Sequence, residues 1–308
     1  MIRFGLCCIF KKEPIKFRRS TARYILKFNR TEQLERISAL CLQNAEALLR
    51  ALSFCREKGI GGFRVNSQIL PLKTHPEVGY SIEDLPGSRK IIRAFKDCGR
   101  FCRENDIRTS FHPDQFILLS SPKTTVTERS LAELNYQAQV AEWVNADVIN
   151  IHAGGAYGDK KSALQRLSGQ IENLPAPVRK RLTLENDDRV YTPSDLLPLC
   201  KRLGIPLVYD VHHQRCLTGG VGIQETTDRV LETWHREPLF HVSSPLNGWK
   251  GEDLLKHHDY LDPGDFPACW LPLDITVEVE AKAKELAVLK LKRAIDKMIA
   301  SRKKADSS

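Results

Sequence analysis

The sequence predicts an α/β fold, a single (β/α)₈ TIM barrel with its active site at the carboxyl ends of the strands, and two observations carry that reading. Short apolar, β-rich runs alternate with amphipathic helical stretches eight times along the 308 residues. The runs are also nearly continuous in hydrophobicity, as parallel strands buried on both faces are. The rival, an open doubly wound sheet, would place a glycine-rich phosphate loop after the first strand, and that position reads Gly5-Leu-Cys-Cys. A barrel needs ~250 residues, so the chain has room for loop insertions.

The expected strands are Ile2–Cys7, Gly62–Asn66, Arg108–His112, Asp147–His152, Arg181–Glu185, Leu207–Asp210, Leu239–Ser243 and Asp274–Glu280. Helices are expected near 31–58, 84–105, 124–145, 159–172, 193–203, 223–235, 251–256 and 281–300. In the first of these, Leu34, Ile37, Cys41, Ala45, Leu48 and Leu52 recur at a 3.6-residue period. Asn29 followed by Glu32 has the spacing of a capping box at its start. Gly59, Gly61 and Gly204 punctuate the returns from helix to strand. With no linker composition in between, residues 1–300 read as one barrel domain, and 301–308 as a polar tail.

Composition narrows the class. No apolar run approaches the ~18 residues of a membrane span, and the short apolar start followed by charges does not read as a signal peptide. Nine cysteines at no zinc-like spacing read as reduced, mostly buried thiols, so a cytoplasmic protein with no membrane association and no obligate protein partner is expected. The formal net charge of +9 is concentrated: residues 11–30 hold eight Lys and Arg against the single acid Glu13. Placed between the first strand and first helix, this basic segment would stand at the mouth of the barrel and face a polyanion.

Chemistry collects at the strand ends. Strand three ends in Phe111-His112-Pro113, strand four in Ile151-His152-Ala153, and strand five in Leu184-Glu185-Asn186-Asp187. Strand six ends in Asp210-Val211-His212-His213. Strand seven offers His241, with His257-His258-Asp259 in its loop, and strand eight offers Glu278 and Glu280. Barrel enzymes act at this end of the strands. Buried carboxylates and imidazoles in such number need cations, and no Lys or Arg occupies these ends, so divalent metal is expected. Oxygen and nitrogen donors without thiolate favour Mn²⁺, Zn²⁺ or Fe²⁺, with Mn²⁺ the first expectation and Zn²⁺ the second, and eight ligands suit two or three ions. Clustered ions activate water and neutralise a phosphorane, so phosphodiester hydrolysis is the expected reaction. Two other readings stand beside it: a metal-dependent sugar isomerase or epimerase on the same barrel, and a non-catalytic DNA-binding descendant.

On these residues the sequence resembles the UV damage endonuclease family, a branch of the metal-barrel superfamily that includes endonuclease IV and xylose isomerase. The matching stretches are Phe63-Arg64 through Pro71, His75-Pro76, His112-Pro-Asp-Gln115-Phe116, Glu128–Leu134 and Ile151-His-Ala-Gly-Gly-Ala-Tyr157-Gly158. Leu184–Asp187, Asp210–His213, His241–Ser243 and Glu280–Glu285 follow in the family's order. The resemblance implies a repair enzyme that nicks duplex DNA immediately 5′ to a UV photoproduct or abasic site, leaving 3′-hydroxyl and 5′-phosphate. It also implies a cytoplasmic location, nucleoid-associated when DNA is bound.

By position, the resemblance implies metal ligands at His112, His152, Glu185, Asp210, His213, His241, His258 and Glu280. Glu185, Asp210, His241 and Glu280 would be the catalytic members. His212 stands as the alternative to His213, and Glu278 as the alternative to Glu280. DNA contacts are assigned to Gln115, Phe116, Leu6, Arg64, Ser67 and Tyr157, with Lys16, Arg18, Arg19 and Arg23 of the basic segment. The family inserts a Gln-Tyr pair into the duplex, here Gln115-Phe116; the alternative for Phe116 is ordinary core packing. Two further departures are Leu6, where the family has tyrosine, and Leu239, where it has a lysine that can be carbamylated beside the metals.

Overall fold

The longest helix of this chain starts and stops at local signals that the backbone obeys. Asn29 accepts from the backbone of Glu32 while the Glu32 carboxylate accepts from the Asn29 N–H, so the capping box is present at helix α2 (Arg30–Lys58). The helix ends at Gly59, whose φ of 65° is the left-handed cap that a side chain would strain. The structure is a computed structural model and describes residues 1–114 and 116–305.

Eight parallel strands close in sequence order: β1 (Ile2–Cys7), β2 (Gly62–Val65), β3 (Arg108–Phe111), β4 (Ala146–His152), β5 (Leu182–Glu185), β6 (Leu207–Asp210), β7 (Leu239–Val242) and β8 (Ile275–Val279). The remaining helices are α1 (Ala22–Ile25), α3 (Ser88–Glu104), α4 (Thr124–Val144), α5 (Lys160–Glu172), α6 (Ala176–Arg179), α7 (Pro193–Leu203), α8 (Val211–Cys216), α9 (Ile223–Leu231) and α10 (Glu285–Ala305). Among the described residues no helix is long and apolar enough to cross a membrane. All nine cysteines are free thiols, six of them buried.

Contacts divide the chain into two compact units. The first comprises Met1–Glu13, Ile60–Gly62 and Thr183–Ser308. In it β1 pairs with β8, β8 with β7, β7 with β6 and β6 with β5. Fully buried Trp270 centres its aromatic core, with the rings of Phe240, Tyr209 and Phe266 at 4.9, 5.7 and 5.7 Å. The second unit comprises Pro14–Gly59 and Phe63–Leu182. There β3 pairs with β4 through a register shift between Thr109 and Ser110, and α2, α3 and α4 pack side by side. Gly99 permits that approach, since a Cβ there would stand 2.2 Å from the Trp143 carbonyl oxygen.

Three expectations are corrected. No helix forms at 251–256; the chain turns there, and Pro245 bridges to His257. The last helix begins at Glu285 rather than 281, because Lys284 stands in the left-handed region at φ 51°, while Lys282 and Ala283 donate their N–H groups to the carbonyls of His258 and Asp259. It then continues to Ala305, into the stretch read as a tail. The basic segment is also not all loop, as α1 lies inside it, capped by Thr21.

Candidate metal centre

β5 and β6 deliver Glu185 and Asp210 to their carboxyl ends, and both side chains are buried. Asp210 then caps α8: its Oδ1 accepts from the His213 N–H at 2.9 Å. That single helical turn points the two adjacent histidines in different directions. His213 stands three residues on, over the same face as its cap, with Nδ1 3.7 Å from Asp210 Oδ2 and 3.5 Å from Glu185 Oε1. His212 turns away, bonds the Leu254 carbonyl at 2.9 Å, and packs its ring against Trp249 and His257. Asn186 holds the pair of strands in place, bonding both the N–H and the carbonyl of Asp210 through its side chain. Its own carbonyl meets His213 Nδ1 at 2.9 Å. The assignment by residue type passed over Asn186, although it stands inside the Leu184-Glu-Asn-Asp187 stretch.

β7 adds His241, fully buried, with Nδ1 3.0 Å from Glu185 Oε1 and 3.6 Å from Glu280 Oε1. Its Nε2 lies 3.1 Å from Glu278 Oε2. Glu280 follows the end of β8 and donates its N–H to the Val242 carbonyl. The loop after β7 orients its two adjacent histidines differently. His258 is exposed and its Nδ1 accepts from the Tyr260 N–H, whereas His257 points Nδ1 toward Glu280 Oε2 at 3.8 Å. The Pro245–His257 bridge sets which of the two neighbours faces inward. Leu239, buried in β7, offers no ligand atom. In the second unit His112 follows β3 and His152 ends β4, with ring centroids 5.1 Å apart.

These donors fit a divalent cation. Glu185, Asp210 and His213 each present a ligand atom, all within 4.8 Å of one another. Asp210 Oδ2 is buried and accepts no hydrogen bond among the described residues, an arrangement that is costly unless a cation meets it. Burial works against the His213 imidazolium, but the carboxylates of Asp210, Glu185 and Glu280 outweigh it and raise the group to about 9. For His212 burial prevails and the value is lowered.

Of the residues assigned to DNA contact, Lys16, Arg18, Arg19 and Arg23 are all exposed. Their loop is fixed: buried Asn44 accepts from the Arg18 N–H at 2.6 Å and donates to its carbonyl at 3.0 Å. Phe17 packs near Phe63. Phe116 is 71% exposed, which removes the core-packing alternative, and it edges a cavity of about 930 Å³ shared with Ser67, His75, Arg129 and Tyr136. Arg129 and His75 were not assigned a role, because a lone cation or imidazole in a helix or loop carries no signal of its own. Tyr157 is exposed in the left-handed region at φ 51°, with the Arg166 guanidinium 5.7 Å from its ring. Two assignments are corrected. Leu6 is 0% exposed inside β1 and Arg64 is buried in β2, so neither presents a side chain to a duplex. Gln115 lies outside the described residues.

With that geometry in view, the sequence model of the UV-endonuclease UvdE family matches residues 2–306. The chain belongs to this family. A relative from Bacillus velezensis, named UV DNA damage endonuclease, is 35% identical across 94% of this chain and 93% of its own length. One from Bacillus pumilus with the same name is 35% identical across 88% and 85%. The crystal structure of SacUVDE superposes with a TM-score of 0.86 at 26% identity, covering 97% of this chain and 99% of that one. Endonuclease IV from Thermus thermophilus (TM-score 0.59, 14% identity, 97% and 99% covered) and a D-psicose 3-epimerase from Clostridium cellulolyticum (0.57, 10%, 97% and 98%) share the fold alone. This family member is an endonuclease on a closed (β/α)₈ barrel.

Proposed function

We propose that this endonuclease nicks duplex DNA on the 5′ side of UV photoproducts, and of abasic sites, leaving 3′-hydroxyl and 5′-phosphate ends. The observation that carries the reading is the cluster of buried Glu185, Asp210 and His241 with half-buried His213 and Glu280 in a member of the UV-endonuclease family. Residues 1–300 act as one endonuclease domain. His112 and His152 join the cluster as ligands, with His257 as the eighth, and together they hold two or three divalent ions, Mn²⁺ foremost and Zn²⁺ as the alternative. Bound there, such ions supply an activated water and offset the charge that builds on the attacked phosphate.

The chain's own residues do the rest. Asp210 and Asn186 hold His213 in place, so the ligand set is arranged before substrate arrives. The exposed cations of the basic segment hold the flanking backbone, and Phe116 enters the stack where the lesion leaves it. The enzyme works in the cytoplasm, on the nucleoid when DNA is bound.

The test is an end-labelled duplex carrying one thymine dimer, incubated with Mn²⁺ and resolved at nucleotide resolution. A single cut 5′ to the dimer, extendable by a polymerase and abolished by EDTA, is expected. Intact dimer-containing DNA, with metal bound to the protein, overturns the reading.

Two further results are expected. If four basic side chains meet phosphates, they contribute roughly −3.5 to the slope of log K against log salt. Replacing Lys16, Arg18, Arg19 and Arg23 with alanine should flatten the slope by that amount and weaken damaged and undamaged DNA alike. Unchanged salt dependence with lost discrimination would show that the segment reads the lesion.

The second concerns His213. Its folded value, about 9, lies above the unfolded one of ~6.5. Its stabilising contribution to the metal-free protein is therefore complete below ~6.5 and lost as pH rises through about 9. A cation competes with that proton, so metal affinity should rise with pH up to about 9. Titration calorimetry at pH 7.5 in buffers of different ionisation enthalpy should register proton release that His213→Ala lacks. Equal heats in all buffers would count against it.

A further inference from the structure

We propose that Glu278 is a positioning residue that sets the tautomer and orientation of His241, and that position 5 is glycine to leave Glu278 its place. The inference rests on the reading of the cluster as a metal centre.

Three neighbouring strands set the place of Glu278. In the β1–β8 register Glu278 stands opposite Gly5, and in the β7–β8 register opposite His241. A Cβ on Gly5 would lie 2.8 Å from Glu278 Cγ, closer than side chains pack. The backbone at Gly5 is not in the left-handed region, so space rather than conformation accounts for glycine there. That space holds a carboxylate at 2% exposure, a costly guest for a barrel interior unless something cationic or proton-bearing meets it. His241 does, at 3.1 Å from Nε2.

The two ring nitrogens of His241 face different company. Nδ1 looks toward Glu185 and Glu280, at 3.0 and 3.6 Å, the side on which Asp210 and His213 also meet Glu185. A nitrogen that ligates metal must present its lone pair, which leaves the proton on the other one. With Nδ1 toward the cluster, Nε2 carries the proton and Glu278 Oε2 is placed to receive it. A ligating imidazole held by a carboxylate behind it is a more basic and better oriented ligand, and losing such a partner costs 10–100-fold in metal affinity.

The test compares wild type with Glu278→Gln, Glu278→Leu and Gly5→Ala, each checked by circular dichroism and thermal melting for an intact fold. Metal content and affinity are measured by elemental analysis and chelator competition, using Mn²⁺ and Zn²⁺ alone. Glu278→Leu should keep its ligands but bind ~10–100-fold more weakly, and Gly5→Ala should move the same way by displacing Glu278. Glu278→Gln, which retains an acceptor oxygen, should recover most of the loss. In ¹⁵N-histidine-labelled, Zn²⁺-loaded wild type, the His241 resonance should report a proton on Nε2. A proton on Nδ1 overturns the proposal, as does wild-type affinity in Glu278→Leu. Equal loss of one metal equivalent in the Gln and Leu variants would make Glu278 a ligand and also overturn it. Wild type that binds neither ion would instead overturn the metal-centre reading.

Discussion

Glu185→Gln is expected to keep the fold, lose bound metal, and incise damaged DNA at least ~10²-fold more slowly, a barrier increase of about 2.7 kcal/mol. The carboxylate closes β5 at 1% exposure and stands within 3.5 Å of two imidazoles, His241 and His213. Glutamine has the same shape, so packing survives. What disappears is the negative charge that both a cation and the charged form of His213 rely on. Elemental analysis of the purified variant beside its incision rate decides the matter: full metal occupancy with normal incision would remove Glu185 from the catalytic set.

Phe116→Ala is expected to act on substrate rather than on stability. With 71% of its surface in water, the ring has little burial to forfeit, and the melting temperature should stay within a few degrees. A buried phenylalanine would cost ~3–5 kcal/mol on the same change. Incision of a dimer in duplex DNA should nevertheless fall ~10-fold or more. A ring inserted into the stack is worth ~1–3 kcal/mol per base, and alanine cannot replace it. The same lesion in already unpaired DNA should be cut almost as well as by wild type, because nothing there has to be held open. Equal losses on both substrates would rule out the wedge.

Much of this architecture was legible because its signals are local or periodic. The capping box at Asn29, the left-handed glycines at 59 and 204, and the apolar runs of β1 to β8 each depend on neighbours in sequence. What was not legible depends on contacts between distant segments. Glu280-Ala-Lys-Ala-Lys has good helix formers, but the chain is tied to the loop at His258 and Asp259 and passes through a left-handed Lys284, so the helix waits until Glu285. That His257 rather than His258 faces Glu280 turns on a bridge to Pro245. Leu6 and Arg64 were assigned by their place beside matching motifs, and only strand orientation shows them buried. Glu278 looked like a rival to Glu280, yet the two face different nitrogens of one imidazole.

The basic segment is fastened at its start and at its middle. Buried Glu285, the first residue of α10, accepts the N–H groups of Lys11, Lys12 and Glu13 at 2.7, 2.6 and 3.2 Å, and Asn44 clamps Arg18 further along. Charges on a free tail would have to be ordered anew at each encounter with a polyanion, and that entropy would be deducted from the affinity. Here the ordering is settled once, when the chain folds. If the segment meets phosphates as proposed, a backbone ordered beforehand should favour polyanions whose charge spacing matches its own over compact or irregular ones.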